Sequence, residues 1–142
     1  MREKAFKGLC STCHGADGKG GGSQATPIAP SFYRNPRVTG NKAQLINLVL
    51  AGMQGPINGK TYAGGMMPSI ASNGEQYVAD VLTYIRNEFD NQASVITKRD
   101  VEMVQQTNTG RSNMWTDEEL HSVFSLPLSQ KVGMESDHQF YP

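Results

Sequence analysis

The run Cys10-Ser11-Thr12-Cys13-His14 constrains this chain more than any other, because it holds both of the cysteines in 142 residues. Two thiols with two residues between them, followed at once by an imidazole, is the spacing that holds a haem covalently. Near the end of a short helix both sulfurs face one side of the porphyrin and reach its vinyl groups. The thiols become thioethers, and His14 lies under the iron as a nitrogen ligand on one axial side. Three other readings use the same residues. A thioredoxin-like redox pair needs strands alternating with helices, which this sequence does not offer. Half of a structural zinc site needs four suitably spaced ligands, and the remaining histidines, His121 and His138, are distant in sequence. A single structural disulfide is the third.

A second motif separates these readings. Gly64-Gly65-Met66-Met67-Pro68 follows the first motif downstream. An iron held by His14 needs a sixth ligand or an open site, and a methionine thioether is a neutral ligand that raises the potential. Glycines let backbone approach a flat ring closely, and proline stiffens the turn behind the sulfur. Met67 is preferred to Met66 because it directly precedes Pro68. Of the seven methionines, Met53, Met103, Met114 and Met134 read as core fillers, the ordinary use of this flexible side chain.

With these residues in view, the chain resembles a class I cytochrome c domain. The likeness runs from about residue 2 to residue 90. It rests on Cys10-Ser11-Thr12-Cys13-His14-Gly15, on Ala29-Pro30-Ser31-Phe32, on Tyr62-Ala63-Gly64-Gly65-Met66-Met67-Pro68, and on Val81-Leu82-Thr83-Tyr84-Ile85-Arg86, in that order. The resemblance implies an all-α cytochrome c fold, with three core helices around one covalent haem c and its iron. It implies that Pro30 gives its carbonyl to the proximal histidine and that Phe32 packs on the haem, where the family more often has leucine. It implies cofactor contacts from Cys10, Cys13, His14, Pro30, Phe32, Tyr62 and Met67, with His14 and Met67 on the metal. A carbonyl on His14 Nδ1 would fix the tautomer and orientation of the ring. Tyr62 and Arg37 are candidate donors to a haem propionate, with an ordinary crevice or surface role as the alternative.

The remaining sequence reads consistently with this. The first helix covers residues 2–13, with Phe6 and Leu9 as its apolar positions. Residues 15–40 are a glycine- and proline-rich loop. Gly18-Lys19 invites a phosphate-loop reading, but the Walker spacing and a preceding strand are absent. A second helix spans Lys42–Ala51 and stops at Gly52. Residues 53–70 form the methionine loop. A third helix follows, with Ser72 and Glu75 as a capping box and Val78, Val81, Leu82, Ile85 and Phe89 at helical spacing. In the family the last core helix crosses the first near aromatic residues, so Phe6 and Tyr84 are expected to meet.

Residues 1–96 are thus expected to be the haem domain, and residues 97–142 a C-terminal extension of two short helices and an irregular tail. Thr97 caps the first of these helices. Asn108-Thr109-Gly110 breaks the chain, and Thr116 with Glu119 caps the second. The extension, with Gly110-Arg111 and then Trp115-Thr116 before Glu119-Leu120, is similar to cytochrome domains fused to bacterial dehydrogenases or oxidases. The tail from Ser125 reads as a linker, a wrapping arm or a partly disordered segment.

Composition narrows the function. Thirteen basic and thirteen acidic residues cancel, so nucleic acid is not an expected partner and no polybasic run favours a membrane surface. No stretch is apolar enough over sufficient length to span a bilayer. Hydrophobic residues make up only 37% of the chain, and a haem's apolar faces do part of the work of a larger protein core. The expected function is one-electron transfer without enzymatic turnover, as a shuttle or as a relay domain. Its partners are redox proteins or a fused dehydrogenase or oxidase domain, in the periplasm or another exported compartment. Haem attachment of this kind implies an export signal. The start at Met1-Arg2-Glu3-Lys4 therefore reads as a domain cut from a longer protein, with a processed mature chain as the alternative. Two other functions use the same motifs: a haem-based small-ligand sensor with an open or displaced sixth site, and a bis-histidine cytochrome in which His121 or His138 reaches back.

Overall fold

Beyond residue 30, the α-helices of this chain begin where the sequence supplies a side-chain oxygen or a glycine. The structure is a computed structural model describing residues 2–23, 25–107 and 111–124. Asn108-Thr109-Gly110, the tail from Ser125 and His138 lie outside the described residues. Helix α1 is continuous through three segments, α-helical Arg2–Ala5, a wider π turn Phe6–Cys10 and α-helical Ser11–His14. A π turn places an extra residue in the coil and rotates the face that follows. Of the two apolar positions, Phe6 is fully buried and Leu9 is exposed.

The expected loop at 15–40 contains one helical turn, α2, Pro36–Thr39. Asn35 caps it by accepting from the Arg37 N–H, and Pro36 at the first position loses no hydrogen bond. Helix α3, Lys42–Ala51, has the predicted bounds. Asn41 caps it through the Gln44 N–H, and Gly52 at φ +87° turns the chain out. The methionine loop is more ordered than expected. Strand β1, Met53–Gln54, pairs antiparallel with β2, Met66–Met67, with Met53 opposite Met67.

Helix α4, Glu75–Asn87, departs from expectation at both ends. The Ser72/Glu75 capping box does not form. Ser72 lies in a short 3-10 turn, Ala71–Asn73, and Gly74 at φ +94° occupies the cap position with no side-chain bond. The positive φ of Gly74 redirects the chain, so the cap falls two residues beyond the expected one. At the other end the helix stops at Asn87, and Phe89 and Asp90 follow at φ +56° and +62°. Phe89 therefore packs from a turn rather than from the helix face. Helices α5, Lys98–Thr107, and α6, Asp117–Phe124, follow. Both are capped at the expected threonines: Thr116 exchanges bonds with Glu119 as predicted, and Thr97 does the same with Asp100, a partner the sequence reading did not name.

One hydrophobic cluster joins these elements. It contains Phe6, Phe32, Ile46, Val78, Val81, Leu82 and Ile85, and also Val101, Val104, Trp115 and Leu120 from beyond residue 96. Full burial of a Val or Leu side chain contributes about 1.5–3 kcal/mol, so the extension has a substantial apolar anchor on the helices before it. Phe6 and Tyr84 meet as expected, at 5.3 Å between ring centroids, and Phe89 lies 5.3 Å from Phe6.

Two buried polar side chains tie this core to surrounding backbone. Arg86 is fully buried and donates to the carbonyls of Val38 (2.9 Å), Gly40 (3.1 Å) and Ser94 (2.9 Å). Thr83 Oγ1 donates to the Ile96 carbonyl at 3.0 Å and accepts from the Ile96 N–H at 2.9 Å.

Candidate haem site

The last turn of α1 presents Cys10 half-buried, Cys13 exposed and His14 half-buried, and both thiols are unpaired. Burial, with the neighbouring Cys13 adding, pushes the Cys10 thiol up to about 11. His14 Nδ1 lies 3.1 Å from the Pro30 carbonyl oxygen. A carbonyl only accepts, so Nδ1 carries the proton and Nε2 keeps its lone pair. Burial also pulls the imidazole below its usual pKa, against the bond to Pro30, which raises it. Burial thus favours the neutral ring, and the bond to Pro30 decides which nitrogen is left as a ligand.

The loop after His14 sets this geometry through Gly20. Its N–H donates to the His14 carbonyl at 2.8 Å, and its carbonyl accepts from Ile28 and Ala29, each at 3.0 Å. Its φ is +111°, and a Cβ there would collide with the Ala29 carbonyl oxygen. A side chain at Gly20 would therefore push Pro30 away from His14. The methionine loop docks on the same stretch, with Ala63 N–H donating to Pro27 at 3.1 Å and Gly64 N–H to Ile28 at 2.9 Å.

Phe32 is buried, and its ring stacks on His14 at 4.1 Å. Asn91, also buried, fixes Phe32 from behind by donating to its carbonyl at 2.8 Å and to that of Ile85 at 2.9 Å. The two adjacent methionines separate by side, as alternation along a strand requires. Met66 is 58% exposed, while Met67 is half-buried and packs against the core.

Tyr62 is half-buried with Lys60 Nζ 5.1 Å from its ring centroid. Arg37, the other candidate propionate donor, is committed elsewhere, to Gln44 and Asp117. His121 is exposed, and its Nε2 lies 3.2 Å from Arg37 and 3.3 Å from Asp117. Among the described residues, no three His, Cys, Asp or Glu side chains gather as a metal site, so the two thiols have no partners for a closed zinc centre. The donor set fits a covalently attached haem: two free thiols on one helix turn, an imidazole with Nδ1 occupied and Nε2 available, and an inward thioether on a loop docked beside them.

Sequence reasoning did not single out Arg86, Asn91 or Asp117 as positioning groups. Their only sequence signal is a polar residue at an otherwise apolar or capping position, which does not say what it contacts.

Among the described residues no helix is long and apolar enough to cross a membrane. No curated protein matches the chain. A family model described as Cytochrome c matches residues 3–125, which takes in both helices of the extension as well as the haem motifs. The chain thus belongs to the cytochrome c family and is a class I c-type cytochrome domain, of a family that binds covalent haem c and transfers electrons through its iron.

Proposed function

We propose that this chain is an electron carrier rather than a catalyst, with His14 and Met67 as axial ligands to a haem attached through Cys10 and Cys13. It works in the periplasm or another exported compartment, as a shuttle between redox proteins or a relay domain of a larger dehydrogenase or oxidase. The observation that carries this reading is the His14–Pro30 hydrogen bond, which leaves Nε2 as the free nitrogen of a neutral ring. When bound, the haem supplies an iron that changes between ferric and ferrous without binding substrate. The chain's own residues keep that change inexpensive. Pro30 and Phe32 hold the imidazole in one orientation, and a rigid ligand set limits reorganisation. Met67 supplies a neutral, soft donor, which favours the ferrous state.

The bis-histidine alternative would require His121 to leave Arg37 and Asp117, and His138 lies outside the described residues. The test is the absorption spectrum of the protein matured with a haem-attachment system. The expected result is haem that survives acid-acetone extraction, with the weak far-red band of methionine on ferric iron. Haem attached without that band would overturn Met67 ligation. Ready carbon monoxide binding by the unmodified ferrous protein would favour the sensor reading.

A further inference from the structure

The loop that carries Met67 is held by residues far from it in sequence. Trp115 N–H donates to the Gly52 carbonyl at 2.8 Å, and Gln54 N–H donates to the Trp115 carbonyl at 2.9 Å. Trp115 thereby adds a third, parallel position beside β1, whose other edge pairs with β2 and Met67. Gly52 is pressed between the two sides: a Cβ there would stand 2.6 Å from the Met67 carbonyl oxygen and 3.3 Å from Met114 Cγ. Farther along the loop, Asp117 accepts from the Asn58 N–H at 3.0 Å with one oxygen and from Arg37 with the other. Arg37 in turn reaches Gln44 Oε1 at 3.1 Å and Met53 Sδ at 3.8 Å. Leu120, fully buried, roots α6 in the core.

We propose that residues 111–124 are a brace for the 52–67 loop. The Trp115 backbone holds β1 and the Asp117 carboxylate holds Asn58, and β1 in turn pairs with the strand that carries Met67, so the extension sets how readily the loop leaves its place. Asp117 is a positioning residue in this arrangement, acting through Asn58 and Arg37. The consequence for axial ligation rests on the Met67 reading above; the mechanical brace does not.

The test compares the wild-type holoprotein with Asp117→Ala, Asp117→Asn and Val101→Ala. Val101 is fully buried in α5 and serves as a general destabilisation of the extension. Two quantities are read: imidazole affinity of the ferric protein, and amide hydrogen exchange at Gln54 and Met67. Loss of hydrogen bonds to a charged, partly buried group is expected to raise both by roughly three- to tenfold in Asp117→Ala. Asp117→Asn, which keeps one acceptor oxygen, moves them less and carries the test should Asp117→Ala not accumulate. Val101→Ala shifts its unfolding midpoint without raising either selectively. The proposal is overturned if Asp117→Ala matches wild type, or matches Val101→Ala at equal loss of stability. Faster exchange in Asp117→Ala, with no methionine band in wild type, upholds the brace and removes the Met67 reading alone.

Discussion

His14 and Phe32 lie face to face, with ring centroids 4.1 Å apart and planes inclined by 21°. The imidazole is thus held in two ways at once, by a hydrogen bond at Nδ1 and by an aromatic face along one side of the ring. A leucine here would fill much the same volume without the flat contact. Phe32→Leu is expected to reduce stability by less than about 1.5 kcal/mol, as volume-conserving core changes do, while loosening the His14 ring. Phe32→Ala should cost about 3–5 kcal/mol by opening a cavity. Urea unfolding of the holoprotein gives the first quantity. The electron paramagnetic resonance spectrum of the low-spin ferric form gives the second, through the spread of its g values. An unchanged, equally sharp spectrum in Phe32→Leu would show that the hydrogen bond alone orients the ring.

The two adjacent methionines should respond in opposite ways. Met66 is 58% exposed, so Met66→Ala is expected to stay within about 0.5 kcal/mol of wild type and to keep the far-red band. Met67→Ala should abolish that band and lower the reduction potential, since the neutral thioether is what raises it. The opposite pattern would place the ligand at Met66 and require the β1–β2 register to shift by one residue.

Much of this was legible because some residues carry a local physical demand. Helix α3 has its predicted bounds because Asn41 and Gly52 mark its ends and an apolar run lies between them. The caps at Thr97 and Thr116 were equally readable, since a reciprocal cap is set by residues three apart. Ser72 and Glu75 have that same spacing and form no cap, because Gly74 takes the turn instead. The π turn at Phe6–Cys10 was not readable, because nothing in residue type announces one. Arg37 looked like a cofactor donor, yet its partner Asp117 is 80 residues away. Non-local polar pairings of that kind leave no periodicity to read.

The two cysteines should differ in reactivity before haem is attached. Cys10 is half-buried and its thiol is pushed up to about 11, whereas Cys13 is exposed. Only the thiolate attacks an alkylating agent. Brief iodoacetamide treatment of the folded, haem-free chain near neutral pH is therefore expected to label Cys13 before Cys10. Peptide mass spectrometry at successive times reads the order. Equal rates would mean that the end of α1 opens faster than the reagent reacts.

Arg86 is the buried group whose loss should be felt most. Its guanidinium satisfies the carbonyls of Val38, Gly40 and Ser94 at once, joining the α2–α3 junction to the segment after α4. Arg86→Leu removes every donor and leaves these acceptors without them, at a cost of roughly 3 kcal/mol or more. Arg86→Lys keeps the charge but not the planar fork, so it should recover only part of that. Denaturant midpoints for the two variants check this, and a near-neutral Arg86→Leu would show that water reaches the three carbonyls.

Asp117 gives the extension an acid limit. Burial alone would raise its carboxyl, but the Asn58 N–H, the Arg37 guanidinium and the charges of Arg37 and His121 outweigh burial and hold it below the ordinary value of 3.8. A carboxylate depressed in the folded state contributes stability above its unfolded pKa and loses it as pH falls through the folded one. The difference in unfolding free energy between wild type and Asp117→Asn should therefore persist from neutral pH down to about pH 5. Below about pH 3.8 it should shrink as Asp117 takes up its proton. Comparing the two proteins at each pH cancels the other carboxylates, which titrate in both. A gap that closed well above pH 5 would mean that Asp117 is not held as an ion by Arg37 and Asn58, and the contact between the extension and the methionine loop would then need another source.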